Sequence, residues 1–270
     1  MSYIAREAPK WLQTMQIECT NRLVYKADML LQIVGPALVF FLIKYQLWSS
    51  IFSLKGIDLI AGYSLEAMLE YQAWVLLVGF ISQSYNSRNL ADDIRLGRIS
   101  SYLVYPFEFW KFHTASFLGF QAVQLFIVIL TTVVLFSLGM LPSLSLGSFF
   151  IALIYSLFVG VVWFAVYFTI GLLAFWIEET WTLRVTFAMS AQFLSGAIIP
   201  IEFFPKFAQS ILDYLPFKYM TYVPVKVFMG EYEQNLTNAF LILLLWFFII
   251  FIIARFVWKK GIRLYSAAGM

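Results

Sequence analysis

One histidine and one cysteine among 270 residues leave no ligand set for a metal and no partner for a disulfide. Charge is also scarce, at 12% of the chain, while 62% is hydrophobic and 20% aromatic. No water-soluble domain carries that balance on its surface. The phosphate-cradling pattern of two glycines, a lysine and a hydroxyl residue is absent, so no nucleotide site is expected. No Ser, Cys or acidic residue has catalytic partners at suitable spacing, which argues against an enzyme. The net charge of +3 is too small to imply a nucleic-acid partner.

What the chain has in abundance is long apolar runs. They predict an all-α polytopic membrane protein of six spans, about Met29–Leu47, Leu65–Ser82, Phe112–Leu138, Leu146–Trp176, Leu183–Ile199 and Phe240–Trp258. An even number of spans puts both termini on one side. Lys and Arg near span ends are retained in the cytoplasm, and 13 of the 18 fall on the side holding both termini. The expectation is a multi-pass protein of the cell membrane with cytoplasmic termini. Residues 1–28 show no cleavable signal pattern. Instead Trp11, Leu12, Met15, Cys19 and Leu23 share one helical face, which predicts a helix lying in the inner interface, with Arg22 and Lys26 snorkelling. Without repeats or low-complexity linkers, residues 1–270 read as one domain, ending in a cytoplasmic tail at 259–270.

The fourth span would be about 46 Å long as a helix, beyond the roughly 30 Å of hydrocarbon, and should tilt or project. Between spans five and six, Phe193–Pro216 (FLSGAIIPIEFFPKFAQSILDYLP) is too apolar for a loop and too broken for a span. Gly196, Pro200, Pro205 and Pro216 are each expected to interrupt a helix there. Backbone freed by such breaks must be satisfied by protein or water, which predicts re-entrant external helices.

Two inner segments carry charge. Asn86–Phe112 is expected to hold a short helix with Leu90 and Ile94 on one face, Arg88, Asp92, Asp93 and Arg95 around it, Ser87 or Asn89 as its cap and Gly97 at its end. It reads either as a solvated loop or as a handle for a soluble partner, with Leu90 and Ile94 as the anchors. Glu178 and Glu179, ahead of Arg184, form the other. Membrane-embedded prenyl-protein proteases place three residues between such a pair and its Arg, whereas four intervene here, and His113 alone cannot supply their further ligands. A polar turn or a second docking point is the remaining reading. Glu66 and Glu70, one turn apart near the outer end of span two, are expected to be solvated, or else to face a pathway with Gln192 and Phe193. Lys44 is expected to snorkel outward.

These segments together resemble a permease subunit of the type-2 ABC exporter class, in particular a six-span bacterial branch without an assigned substrate. The resemblance runs over essentially the whole chain. It rests on the interfacial first helix, LIAGYSLEAMLEYQAW, IRLGRISSYLVYPFEFW, the FLSGAIIPIEFFP and YLPFKYMTYVP stretches and WKKGIRLYSAAG. It implies a pair of six-span halves, identical or paralogous, with separate ATPase subunits binding ATP and Mg beneath them. Docking would fall to the interfacial helix, residues 86–97 and Glu178–Arg184. Residues 200–222 would cap the outer end of a path that spans two and five of both halves line. The aromatic interior favours an apolar or amphiphilic cargo. The alternative is a channel or ion-coupled carrier working without ATP, for which the spans lack a buried acid chain or paired half-helices.

Overall fold

A computed structural model describes residues 3–24, 26–56, 58–82, 88–104, 107–231 and 235–265. Among the described residues the fold is all helix, with no strand. The long helices are α1 (Tyr3–Val24), α2 (Lys26–Lys55), α3 (Leu65–Ser82), α6 (Phe109–Ser137), α7 (Leu146–Leu172) and α12 (Leu236–Leu264); α4 (Arg88–Arg95) and α5 (Ile99–Val104) lie between α3 and α6. A 3-10 turn, Leu173–Phe175, prolongs α7, and α8 (Trp181–Leu194) follows. The short helices α9 (Lys206–Leu212), α10 (Pro216–Met220) and α11 (Tyr222–Phe228) fill the stretch before α12.

Among the described residues, five helices (α2, α3, α6, α7 with its 3-10 turn, and α12) are long and apolar enough to cross a membrane. The expected fifth span is shorter than 183–199: α8 has 14 residues, or about 21 Å, too little for a roughly 30 Å core. It is followed by the broken segment of the Ile201–Phe203 3-10 helix, α9 and α10. The long fourth span is as expected, one helix from Leu146 to Leu172 carried on by its 3-10 turn, with Ser145 capping its start through the amide of Ser148.

α3 is the central post. It packs between α2, α6, α7 and α11, and Trp74 on α3 stacks on Phe228 of α11 with ring centres 4.4 Å apart. α11 buries Val223 through Phe228 against α3 and α7, so the apolar segment before α12 folds back into the bundle. A second, smaller core at one end joins Leu90, Ile94, Ile99, Phe109 and Leu172. Both described chain ends lie at that end, Glu7 bonded to Lys111 and Tyr265 to Gly97. It is the inner end of the Lys/Arg expectation.

α1 lies against the inner part of α6 rather than free of the bundle. The crossing is so close that a Cβ on Gly119 would sit 2.6 Å from the carbonyl oxygen of Met15. Cys19 Sγ donates to the Gly119 carbonyl at 3.2 Å. Glu7 accepts from Lys10 at 2.9 Å and from Lys111 at 3.1 Å, and these two bonds hold its carboxyl below the usual range. The apolar stripe divides: Trp11 meets Phe107 and Trp110, while Leu12 and Leu23 stay exposed. Arg22 does not simply snorkel; it pairs with Glu18 and covers the Phe120 ring.

Gly119→Ala should therefore push α1 off α6, at an overpacking cost of about 1–3 kcal/mol. A lower thermal midpoint of the purified protein, together with faster proteolysis within residues 3–24, would show it.

Candidate functional site

α4 meets the rest of the inner end through three inward residues. Leu90 and Ile94 are 1% and 4% exposed, packed on Ile99, Phe109 and Leu172. This corrects their expected role as anchors for a partner: they hold α4 to the chain's own second core. Asp93 is also drawn inward. It takes the Arg98 guanidinium at 2.9 Å, accepts from Tyr102 Oη at 3.1 Å and lies 3.5 Å from His113 Nε2. The carbonyl of Gly97 accepts from Tyr265 Oη at 2.7 Å, which joins the helix end to the close of α12. The side chains of Arg88 and Asn89, and all of Ser87, lie outside the described residues.

The other side of α4 opens on a cleft of about 250 Å³. Ala91, Asp92 and Arg95 form one wall, and Glu178, Glu179, Trp181 and Arg184 the other. Asp92 and Arg95 pair at 3.3 Å, both partly in solvent, a contact worth under about 1 kcal/mol. Glu179 accepts from the amide of Trp181, fixing the first turn of α8. The two charged inner segments expected from the sequence thus line a single cavity.

At the outer end, α8 stops because of Gly196 and not because of a proline. Gly196 has φ +84°, a left-handed conformation that ends a helix, with Ser195 as the last half-helical residue. A Cβ there would also crowd Tyr71 Oη at 3.0 Å and Tyr222 at 3.2 Å. Pro200 and Pro205 instead precede the first turns of the Ile201–Phe203 3-10 helix and of α9, and Pro216 opens α10. The prolines start helices, as a residue without an amide donor can, rather than interrupting them.

Three carbonyls at and just beyond this stop are taken up by other helices. Tyr222 N donates to Ser195 O at 3.0 Å, Tyr71 Oη to Gly196 O at 2.8 Å, and Lys44 Nζ to Ile198 O at 2.6 Å. Lys44 is therefore buried rather than snorkelling. Beside this lies a cluster that sequence reasoning missed. Glu202 accepts from Tyr63 Oη at 3.0 Å and Tyr222 Oη at 2.7 Å. Lys226 lies 3.5 Å from Glu202 and 4.4 Å above the Tyr63 ring, and is paired with Glu231. Burial, and then the Glu202 carboxylate, push the Tyr63 phenol above its ordinary range, so it remains a donor. The signal was present: Glu202 and Lys226 are isolated charges within apolar runs.

The candidates for a pathway separate. Glu66 is exposed, as are Gln192 and Phe193 on α8. Glu70 is 2% exposed, which overturns its solvated reading. Its oxygens accept from Ser143 N at 3.1 Å, Ser143 Oγ at 2.8 Å and Trp74 Nε1 at 3.3 Å, tying the α6–α7 connection to α3. Along α8 only Ala191 is buried, while Trp181, Leu183, Met189 and Phe193 are open.

The family model described as "ABC-2 family transporter protein" matches residues 38–269 of the chain. No curated protein matches it.

Gly196→Ala is expected to cost about 1–3 kcal/mol through left-handed strain and crowding, whereas Pro200→Ala leaves the end of α8 where it is. Thermal unfolding of the two purified variants measures the contrast, and a Pro200→Ala loss equal to that of Gly196→Ala would return the stop to the proline.

Proposed function

We propose that this chain, which belongs to the ABC-2 family of transporter proteins, is the membrane half of an ATP-driven exporter whose partner ATPase docks in the cleft between α4 and the start of α8. The family membership makes it a multi-pass membrane component of an ABC transporter. The docking assignment is carried by one observation: Asp92 and Arg95 share a cavity with Glu178, Glu179 and Arg184, although the two segments are far apart in sequence. A partner seated there touches α4 and α8 at once. Its motion reaches α6, α7 and α12 through the second core, since Leu90 and Ile94 leave α4 little freedom to slide on its own.

Both termini are assigned to the cytoplasm from the Lys/Arg asymmetry, which puts α9 and α10 outside. The apolar face of α8, with Gln192 and Phe193, is the surface offered to a second permease half, identical or paralogous, and the path runs between the halves. The segment from Gly196 to Tyr222 caps its outer end. Open aromatic and aliphatic side chains on α8 support an apolar or amphiphilic cargo. ATP and Mg are bound by the partner.

Charge reversal at Asp92 or Glu178 should cut recovery of the ATPase about three- to tenfold, with the larger loss at low salt, since exposed charges act mainly through association. Leu90→Asp is expected to do something different and lower the amount of folded chain. Pull-down at two salt concentrations, with membrane levels of the permease as control, separates these. Normal recovery with Asp92→Lys and with Glu178→Lys removes the cleft from the docking surface.

In a Cys19→Ser background, Ser210→Cys should react with an impermeant reagent on intact cells and Glu178→Cys should not. The opposite pattern inverts the orientation.

A further inference from the structure

We propose that the inner end of α12 is a binding site for the phosphate headgroup of an anionic phospholipid, formed by Arg255, Lys259 and Arg263 with Lys260 beside them. The three cations follow one another at four-residue intervals, so they stack on one helix face, one turn apart. All four side chains are exposed. α12 contains no Asp or Glu, and none of the four has an acidic partner among the described residues.

The face they occupy is turned away from the protein. Ala239, Leu243, Ala254 and Gly261, the buried residues of α12, lie on its opposite side. Toward the helix start the cation face continues as Leu241, Leu245, Phe248, Ile252 and Phe256, each between 53% and 65% exposed. α12 is the least buried of the five long apolar helices, and this stripe is its lipid-facing surface. From Leu236 to the residue before Arg255 the helix rises about 28 Å, close to the hydrocarbon thickness. Arg255 therefore stands at the hydrocarbon boundary, with Lys259 and Arg263 about 6 and 12 Å farther out, through the headgroup layer. Lys260 Nζ lies 4.4 Å over the Phe256 ring and the Arg255 guanidinium 6.0 Å from the Phe251 ring, stems along apolar surface and heads at its rim.

Two blander accounts fall short. The retention of Lys and Arg on one side explains their number but not their stacking on the lipid-facing side of a single helix. The helix dipole favours cations in the last turn, which covers Arg263 but not Arg255, more than two turns from the end. A soluble partner cannot reach Arg255 past the lipid that covers the stripe beside it. The site is independent of how ATP hydrolysis is coupled to transport.

The full chain, purified in neutral detergent, is titrated with phosphatidylglycerol or phosphatidylcholine and bound lipid is counted by native mass spectrometry. The expected result is a preference of about tenfold or more for phosphatidylglycerol, lost in Arg255→Gln/Lys259→Gln/Arg263→Gln and kept in Arg255→Lys/Lys259→Arg/Arg263→Lys. Unchanged thermal unfolding in phosphatidylcholine shows that the Gln variant is folded; if it is not, the three single Gln variants are titrated and each should lose part of the preference. Equal binding of both lipids by the wild type overturns the proposal, as does a preference that survives the Gln changes. Displacement of phosphatidylglycerol by an equal concentration of inorganic phosphate would mean a general anion site and overturn it too. So would a Gln variant that keeps the lipid preference but loses a copurifying protein.

Discussion

A helix that stops within apolar surroundings leaves carbonyls in need of new partners, and much of this fold's outer half follows from meeting that demand. At the end of α8, the carbonyls of Ser195, Gly196 and Ile198 are satisfied by α11, α3 and α2 respectively. Three helices are thereby fixed around one stop. The conformation of Gly196 turns the chain, and the phenol of Tyr71 needs that glycine's bareness to come within reach. Buried hydrogen bonds of this kind add little net stability when made, but leaving one unmade costs about 1–3 kcal/mol. The outer segment is thus held by a set of interactions that are expensive to break singly.

The inner end works differently, through packing and a buried polar junction. Asp93 gathers Arg98, Tyr102 and His113, so that α4, the turn after it and the start of α6 meet at one carboxylate. The ring of Phe109 stacks on Trp258, bringing α12 into the same core. On the proposed docking, a load on the exposed side of α4 would pass to α6, α7 and α12 through this core. A short helix on a flexible tether could not do this.

Much of the architecture was legible. The ends of α3 agree with the apolar run Leu65–Ser82, and the long fourth span, the first helix and the folded-back segment before the last span were all visible in composition and periodicity. The charged segments at the inner end were legible as positions, not as directions. Hydrophobic residues at 90 and 94 announce a helix with an apolar face, but an apolar face reads the same whether it covers a partner or the chain's own core. Glu70 misled for a related reason: its acceptor role depends on Ser143, a residue brought near only by tertiary folding. Gly196 was legible as a break and does end α8, whereas Pro200, Pro205 and Pro216, expected to interrupt helices as well, stand at helix starts. Clusters joining distant residues, such as Tyr63 with Glu202 and Lys226, have no signature along the chain beyond lone charges in apolar runs.

The central claim, that α4 and the start of α8 together form the seat of one ATPase subunit, is tested most directly by photo-crosslinking from within the membrane. A photoreactive residue is placed at Asp92, at Glu178 or, as an outer control, at Ser210, and each chain is irradiated in cells that contain the partner ATPase. The account predicts that Asp92 and Glu178 both join to the same ATPase subunit and that Ser210 does not. Cross-links from Asp92 alone, or from neither inner position, would contradict it.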